Sequence, residues 1–292
     1  MPLTDSEAAQ LFREEPDKFL DVGAGEVAHR KIGSGPDVLF VHGWPVSGAT
    51  WRKLLPHLVD HVTCHVIDLP SAGSSRFDAN TQMSIQQHIT SVQRTVDLLG
   101  FDEISVVGHN SGGMIARHAM AGDQRLRSMG LINTEPPDPS WRFRSFIAAR
   151  RLPGLSAGLG RVAGIPKVRA SKFVFGDAFA DRSLLDGEFA EFFFDPLHNN
   201  PIARDAAVRL LRSFDMSHVT DLPAIHRQLD VPVKLVWGDR DPFFPVERAK
   251  AMVPTFPNAS IDIIEGAGLF SHEEGPAQVA ASLLPTLTTP VN

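Results

Sequence analysis

The chain contains no tyrosine and only one cysteine among its 292 residues. Without a phenol, a mechanism in which tyrosine protonates a leaving oxygen is excluded. The single cysteine, Cys64, cannot form an internal disulfide, which fits a reducing compartment and predicts a cytoplasmic protein. Cys64 lies within a predicted strand, so we interpret it as a packing residue and not as a reactive thiol.

Several other features are also missing. No apolar run approaches the ~18 residues that span a bilayer, and the polar N-terminal residues do not resemble a secretory signal. The net charge of -6 argues against nucleic acid or an anionic membrane as a partner. No metal-ligand spacing or nucleotide-binding glycine loop is present, so we expect no metal and no cofactor. A homodimer remains open.

The arrangement of apolar runs predicts an α/β fold. Predicted strands alternate with helices through the first half and resume near the end: strands at 26–32, 37–41, 62–69, 104–107, 128–132, 231–237 and 260–264, and helices at 47–59, 84–98 and 111–120. Residues 135–224 show no strand pattern and predict a helical lid. We therefore expect a mostly parallel sheet built from residues 1–134 and 225–292, with the lid inserted between them.

Four short motifs follow predicted strands, at the edge where open α/β sheets bind ligands. In chain order they are His42-Gly43-Trp44-Pro45, Gly108-His109-Asn110-Ser111-Gly112, Trp237-Gly238-Asp239-Arg240-Asp241-Pro242 and Gly266-Ala267-Gly268-Leu269-Phe270-Ser271-His272-Glu273-Glu274. In the second motif, glycines allow a sharp strand-to-helix turn that lifts Asn110 into a pocket. A carboxamide is a poor nucleophile because its nitrogen lone pair is delocalised and it carries no charge.

Together, and in this order, the four motifs resemble those of α/β-hydrolase-fold proteins of the haloalkane dehalogenase and epoxide hydrolase branch. The resemblance covers about residues 25 to 285. In that branch an aspartate on the turn forms an ester with substrate, and a histidine oriented by a carboxylate activates water to hydrolyse it. The resemblance implies that Asn110 stands at the nucleophile position and Leu269 at the histidine position. Asp241 would be the orienting carboxylate, with Glu135 as the alternative acid.

The resemblance also implies an oxyanion hole formed by the backbone N–H groups of Trp44 and Ser111. Haloalkane dehalogenases usually place tryptophan after the nucleophile, where this chain has Ser111. Similar epoxide hydrolases use lid tyrosines, and this chain has no tyrosine. The His-Gly-x-Pro form of the first motif is nearer to epoxide hydrolases. Ser111 is a further candidate nucleophile, although it would put His109 where the turn needs a small residue.

Other residues near the motifs and in the lid are predicted to line a ligand site. They are His42, Pro45, His109, Trp141, Phe193, Phe243, Phe270 and His272. Each histidine also has a structural interpretation, as a backbone hydrogen-bonding or packing residue. The arginine-rich stretch that begins at Trp141 is interpreted as a solvated lid face rather than as an anion site.

These patterns support three functional hypotheses, all with a small, largely apolar organic ligand. The chain could act non-hydrolytically, by cyclisation, elimination or isomerisation, with oxyanion-type stabilisation of the ligand. It could instead be a non-catalytic binding protein, or a dehalogenase-type or epoxide hydrolase-type enzyme that has been inactivated or engineered. Without a histidine partner, a buried Asp241 is expected to have a raised pKa.

Overall fold

The computed structural model describes residues 3–172 and 174–289. Its centre is one eight-stranded sheet with the order β1-β2-β4-β3-β5-β6-β7-β8. The strands are β1 (Lys18–Asp21), β2 (Glu26–Gly33), β3 (Asp37–Val41), β4 (Thr63–Asp68), β5 (Ile104–His109), β6 (Leu126–Ile132), β7 (Val233–Gly238) and β8 (Ala259–Ile264). β2 pairs antiparallel with β1 and with β4, and all other neighbours are parallel. The predicted α/β class and mostly parallel sheet are confirmed.

Helices cover both faces of this sheet and fill the segment between β6 and β7. They are α1 (Asp5–Leu11), α2 (Ile85–Leu99), α3 (Ser111–Met120), α4 (Trp141–Ala149), α5 (Leu155–Gly164), α6 (Pro166–Arg169), α7 (Asp195–Asn199), α8 (Pro201–Arg212), α9 (Ser217–Thr220), α10 (Leu222–His226), α11 (Val246–Met252), α12 (Ser271–Glu274) and α13 (Pro276–Thr288). Gly100 ends α2 in the left-handed conformation, which glycine adopts without steric cost.

The helix predicted for residues 47–59 is wrong. The structure has two short 3-10 turns there, Gly48–Trp51 and Leu55–His57. Pro56 lies in the second turn and has no N–H to donate to an α-helical hydrogen bond, which explains the interruption. The sequence also gave no indication of α1 or β1, two short elements that precede the regular strand-helix pattern.

Burial is nearly complete in the central strands. Every residue of β4 is buried, as expected for a strand covered on both faces. Cys64 lies inside this strand, and burial raises the pKa of its thiol to about 12. A thiol that stays protonated in an apolar core is unreactive, which agrees with its interpretation as a packing residue.

Among the described residues, those between β6 and β7 form helices and no strand. We call the segment 135–224 the lid, keeping the predicted boundaries. Its core is aromatic and includes a π-helical segment, Ala190–Phe194, in which Phe193 and Phe194 are buried. Phe189 packs against both of these rings at centroid distances of 4.6 and 5.6 Å. These lid residues belong to the same buried apolar cluster as residues of the sheet, so the lid packs on the sheet without a separate core.

Strained backbone is concentrated at that sheet edge. Among the described residues, three that are not glycine have positive φ: Ser71 (131°), Asn110 (53°) and Asn133 (35°). They follow β4, β5 and β6, three neighbouring or near-neighbouring strands. Such conformations cost energy in side-chain-bearing residues and cluster at functional sites, so a functional site is expected at this edge.

Candidate functional site

The turn at Asn110 has the geometry that the sequence predicts. Asn110 lies between β5 and α3 with φ 53° and ψ −137°, a backbone conformation that favours glycine. Gly112 permits the turn because a Cβ there would collide with the backbone carbonyls of Val41 and His42. The positive φ is at Asn110 and not at Ser111, which already belongs to α3. Asn110, and not Ser111, is therefore the raised residue of this turn.

The carboxamide oxygen of Asn110 is hydrogen-bonded within the protein. Its Oδ1 accepts from the N–H of Ser111 at 2.5 Å. The Ser111 hydroxyl oxygen in turn accepts from the N–H of Trp44 at 3.0 Å. Both amides predicted to form an oxyanion hole thus already hydrogen-bond to side chains. The resemblance assigns these amides to an oxyanion hole, and here the side chains of residues 110 and 111 accept their hydrogen bonds.

A cavity of about 80 Å³ opens above Asn110. We call it the Asn110 cavity. Its aromatic lining consists of Trp44, Phe143, Phe146, Phe175, Phe214, Phe243, Phe244 and Phe270. Leu269 and Glu135 also line it, and Glu135 is the only ionisable group among the described residues that do so. The site therefore combines a carboxamide and a carboxyl group within an apolar enclosure.

Glu135 is a buried carboxyl group just beyond the end of β6. The Thr134 hydroxyl donates to its Oε2 at 2.9 Å. Burial raises the pKa of Glu135, and this is partly offset by hydrogen bonds and by the buried Arg117 guanidinium. Arg117 itself donates to Thr134 Oγ1 and to the Glu135 carbonyl, both at 2.9 Å. A buried carboxyl group that borders an apolar cavity is a candidate for proton transfer to or from a ligand.

Asp241 is also buried, but its carboxyl group is held differently. Its Oδ1 accepts from the amides of Phe243 and Phe244 at 2.8 and 3.0 Å, and its Oδ2 accepts from Asn133 Nδ2 at 2.9 Å. Burial raises the pKa of Asp241 to about 7 despite these three donors. The pKa of Asp241 is raised, as expected, but Asp241 does not line the Asn110 cavity.

Leu269 lies where two parts of the chain meet. Its N–H donates to the Ala178 carbonyl of the lid at 2.9 Å. Its carbonyl accepts from Nε2 of His109, the last residue of β5, at 3.0 Å. The Leu269 side chain faces the Asn110 cavity, while its backbone joins the lid to the strand that carries Asn110.

His109 and His272, predicted as ligand-binding residues, do not line either of the two cavities above the sheet edge. Both are fully buried, and their rings pack with centroids 4.4 Å apart. His272 Nε2 is hydrogen-bonded to the Thr50 hydroxyl at 2.8 Å. Burial lowers the pKa of His109 to about 3 and that of His272 well below its usual value. These histidines are neutral packing residues beneath the turn.

The second cavity, which we call the Ser71 cavity, has a volume of about 360 Å³. His42 and Phe193 line it and do not line the Asn110 cavity. As expected, His42 hydrogen-bonds to backbone: Nδ1 donates to the Gly43 carbonyl and Nε2 accepts from the Leu69 amide, both at 2.9 Å. Because both ring nitrogens are engaged, His42 is a structural residue of this wall.

Of the remaining predicted binding residues, three line the Asn110 cavity and one does not. Pro45, Phe243 and Phe270 line the Asn110 cavity. Trp141 does not, and 76% of it is exposed to solvent, so its prediction as a binding residue is wrong. It is the first residue of α4, whose buried positions are Phe143 and Ile147. The helical spacing of these two residues is a signal that could have identified the inward face of α4 from the sequence.

Much of the aromatic lining of the Asn110 cavity was not predicted from the sequence. Five phenylalanines of the Asn110 cavity were not predicted: Phe143, Phe146, Phe175, Phe214 and Phe244. Four of them belong to the lid, where only the general abundance of aromatic residues pointed to a cavity. Within the described residues, no cluster of three or more histidine, cysteine, aspartate or glutamate side chains is arranged to hold a metal ion. The same residues contain no helix long and apolar enough to cross a bilayer.

Comparison with known proteins identifies the family. The model of the alpha/beta hydrolase family matches residues 38–282, and the chain belongs to that family. A pimeloyl-[acyl-carrier protein] methyl ester esterase of Chromobacterium violaceum is 26% identical over 87% of this chain and 96% of its own length. A soluble epoxide hydrolase of Corynebacterium sp. is 36% identical, but over only 29% of each chain. The crystal structure of a putative lipase of Acinetobacter baumannii shares the fold, with a TM-score of 0.79, 18% identity, and coverage of 98% of this chain and 96% of that chain.

Proposed function

We propose that this protein binds a small, largely apolar carbonyl compound in the Asn110 cavity and isomerises it by proton transfer, without an ester intermediate. The observation that carries the proposal is the composition of the cavity wall. Asn110, Leu269 and Glu135 meet there, and no histidine lines the cavity among the described residues. A carboxamide at the turn and a leucine at the position that the resemblance assigns to histidine leave Glu135 as the group that can move a proton.

Asn110 supplies the hydrogen bond to the ligand. Because its Oδ1 accepts from the Ser111 amide, the donor end of the carboxamide, Nδ2, is available for an acceptor. A ligand carbonyl oxygen is such an acceptor, and it gains negative charge when a neighbouring carbon loses a proton. Preorganised donors stabilise that charge strongly in an enclosure without water. In this proposal Nδ2 takes the part of the two occupied backbone amides.

Glu135 moves the proton. The substrate is a β,γ-unsaturated carbonyl compound, and the ionised carboxylate takes a proton from the carbon between its C=O and C=C bonds. The electron pair of that C–H bond forms a new C=C bond, and the π pair of the carbonyl moves onto its oxygen. The protonated Glu135 then returns the proton to another carbon of the same system, which completes the isomerisation with no co-reactant. Burial raises the pKa of Glu135, which strengthens the carboxylate as a base towards a carbon-bound proton.

The proposal is tested by hydrogen-deuterium exchange of cyclohexanone in D₂O, followed by proton NMR. The unmodified protein should accelerate loss of the α-proton signal above the buffer rate. Glu135→Gln should abolish the acceleration, and Asn110→Ala should reduce it by about 10²-fold, the usual effect of one lost oxyanion donor. Glu265→Gln, a substitution at an exposed glutamate, is the matched control and should change nothing.

Two results would overturn the proposal. Exchange that persists in Glu135→Gln would remove Glu135 from the reaction. Absence of exchange in the unmodified protein, together with a rise in melting temperature on adding cyclohexanone, would identify a binding protein without this activity.

A second candidate function is an inactivated hydrolase. It is favoured by the family membership and by relatives named as an esterase and an epoxide hydrolase. The double variant Asn110→Asp/Leu269→His restores the residue types that the resemblance assigns to these positions. Turnover of small esters or epoxides by the double variant, with no exchange of cyclohexanone by the unmodified chain, would favour this function over isomerisation.

A further inference from the structure

The two cavities above the sheet edge meet at a shared wall. Trp44, Pro45, Ser111 and Leu210 line both the Asn110 cavity and the Ser71 cavity. The Trp44 indole is fixed at this boundary because its Nε1 donates to the Ala207 carbonyl of α8 at 3.0 Å. The smaller cavity is almost entirely apolar, whereas the larger one contains polar groups that the proposed isomerisation does not use.

The first of these groups is the imidazole of His88, on α2. His88 is 1% exposed and lines the Ser71 cavity. Its Nε2 donates to the Pro70 carbonyl at 2.6 Å, which leaves Nδ1 as a bare acceptor. This Nδ1 is buried and has no hydrogen-bond partner among the described residues. An unpaired buried acceptor is costly, so a ligand that donates a hydrogen bond would be favoured here.

The second group is the hydroxyl of Ser71. This residue lines the same cavity and adopts φ 131°, a conformation strained for any residue but glycine. Its side chain has no hydrogen bond to the rest of the described chain. Neither backbone freedom nor an internal hydrogen bond explains serine at this position. A role in binding would, because strain of this kind accumulates at ligand sites.

The charge of the Ser71 cavity indicates what kind of ligand fits. Among the residues that the structure describes, Arg76 is the only arginine or lysine of its lining, and no aspartate or glutamate lines it. The Arg76 guanidinium is already paired with Glu26 at 3.2 Å and lies over the Phe19 ring at 3.6 Å. His42 has both ring nitrogens engaged. No free cation therefore awaits an anionic ligand, and the polar contacts suit an uncharged group.

We propose that the Ser71 cavity binds the uncharged, hydroxyl-bearing end of an elongated ligand whose apolar end occupies the Asn110 cavity. The hydroxyl donates to His88 Nδ1 and accepts from the Ser71 hydroxyl. The inference deepens the proposed function, on which its placement of the apolar end rests. It names the ligand class as uncharged and amphipathic, an alcohol at one end and an apolar carbonyl compound at the other.

The test compares two flexible probes of nearly equal size by isothermal titration calorimetry. 1-Octanol has a hydroxyl donor, whereas heptyl methyl ether has the same number of heavy atoms and no donor. 1-Octanol should bind at least about tenfold more tightly, because the ether leaves His88 Nδ1 unpaired. Octanoate, an anion without a donor, should also bind more weakly than the alcohol. Equal affinities for the alcohol and the ether would overturn the inference.

Variants localise the binding. Ala203 lines the Ser71 cavity and not the Asn110 cavity, so Ala203→Trp should fill the former and abolish 1-octanol binding. The matched control is Ala148→Trp, at an exposed position of α4, which should bind as the unmodified protein does. Ser71→Gly should weaken 1-octanol binding several-fold, because the donor to the ligand oxygen is lost. Undiminished 1-octanol binding by Ala203→Trp would contradict the inference.

Cyclohexanone exchange separates this inference from the proposed function. A preference for 1-octanol that depends on Ser71 and Ala203 supports the Ser71 cavity as a hydroxyl site even in a protein that exchanges no protons. Exchange that requires Glu135 but is accompanied by no preference for 1-octanol supports the isomerase and rejects the hydroxyl site.

Discussion

Two buried carboxyl groups follow neighbouring strands at the same edge of the sheet, and they differ in what they face. Glu135, after β6, lines the Asn110 cavity. Asp241, after β7, does not, and its two oxygens accept three hydrogen bonds from the protein. Burial raises the pKa of both. A raised pKa alone therefore does not identify a reactive group, and access to a cavity is what separates the two.

The difference arises from the residues between them. Asn133 donates to Asp241 from Nδ2, while its Oδ1 accepts from the Gly238 amide and from the Ser271 hydroxyl. This one side chain ties the ends of β6 and β7 to the loop that carries Leu269. Asp241 is thus part of a hydrogen-bonded network, whereas Glu135 has a single side-chain donor, Thr134, in the described structure. The comparison predicts a structural role for Asp241 and a chemical role for Glu135.

The largest effect is expected from Asp241→Ala. The substitution leaves three buried donors without an acceptor, on Asn133, Phe243 and Phe244. We expect the free energy of unfolding to fall by about 3–5 kcal/mol, since each orphaned buried donor costs about 1–3 kcal/mol and the costs overlap. Urea denaturation measures this, with the exposed Asp230→Ala as control. A loss below about 1 kcal/mol would break the comparison by showing that Asp241 is not a structural anchor.

The next largest effect concerns pH. The pKa of Asp241 is about 7 in the folded protein and about 4 in an unfolded chain, so the native state binds more protons between these values. The contribution of Asp241 to the free energy of unfolding is therefore full below about pH 4 and is lost as the pH rises to about 7. Buried histidines act in the opposite direction: the pKa of His109 is about 3 and that of His88 about 4.

Comparison with Asp241→Asn isolates the carboxyl term from the histidines. The difference in unfolding free energy between the unmodified protein and this variant should fall by roughly 2–4 kcal/mol from pH 4 to pH 7. Urea denaturation at several pH values measures both proteins under the same conditions. A difference that does not change with pH would contradict the raised pKa.

A smaller effect is expected at Asn133, the link between the two loops. Asn133→Ala removes three hydrogen bonds and should lower the unfolding free energy by about 2–3 kcal/mol. Asn133→Gly removes the same bonds but tolerates φ 35°, so we expect it to be the less destabilised variant by about 1 kcal/mol. Thermal denaturation ranks the two. The opposite order would show that backbone strain at Asn133 is negligible.

Much of this edge was predictable from the sequence. Apolar runs that end in glycine-containing motifs placed Asn110, Asp241 and Leu269 after strands. The chain leaves each parallel strand at the carboxyl edge of the sheet, so these residues were expected at that edge. The local glycines also predicted the sharp turn at Asn110. Apolar periodicity and turn residues are local signals that extend over a few residues, and most of the strands and helices predicted from them are present in the structure. The predicted helix at 47–59 failed where Pro56 interrupted the pattern.

Side-chain direction was not predictable in the same way. Whether Asp241 or Glu135 faces the cavity depends on Asn133, which is distant from Asp241 in sequence and holds its carboxylate through a hydrogen bond. The occupied amides of Trp44 and Ser111 depend likewise on contacts across 67 residues. Trp141 was expected to bind ligand but faces solvent, because the fold of the lid decides which side of α4 is buried. Such contacts are long-range and leave no local pattern in one sequence.

The smallest effect tests whether the two carboxyl groups sense each other. The charge of Glu135 raises the pKa of Asp241, although less than burial does. Glu135→Gln should therefore lower the pKa of Asp241, as followed by the carbon-13 shift of its carboxyl group during a pH titration. Asp123, whose pKa is lowered by hydrogen bonding to Arg125, is the internal control and should not move. An unchanged Asp241 would mean that Glu135 remains protonated while Asp241 titrates, and a carboxyl that never ionises in that range could donate a proton to a ligand but could not begin the isomerisation by removing one.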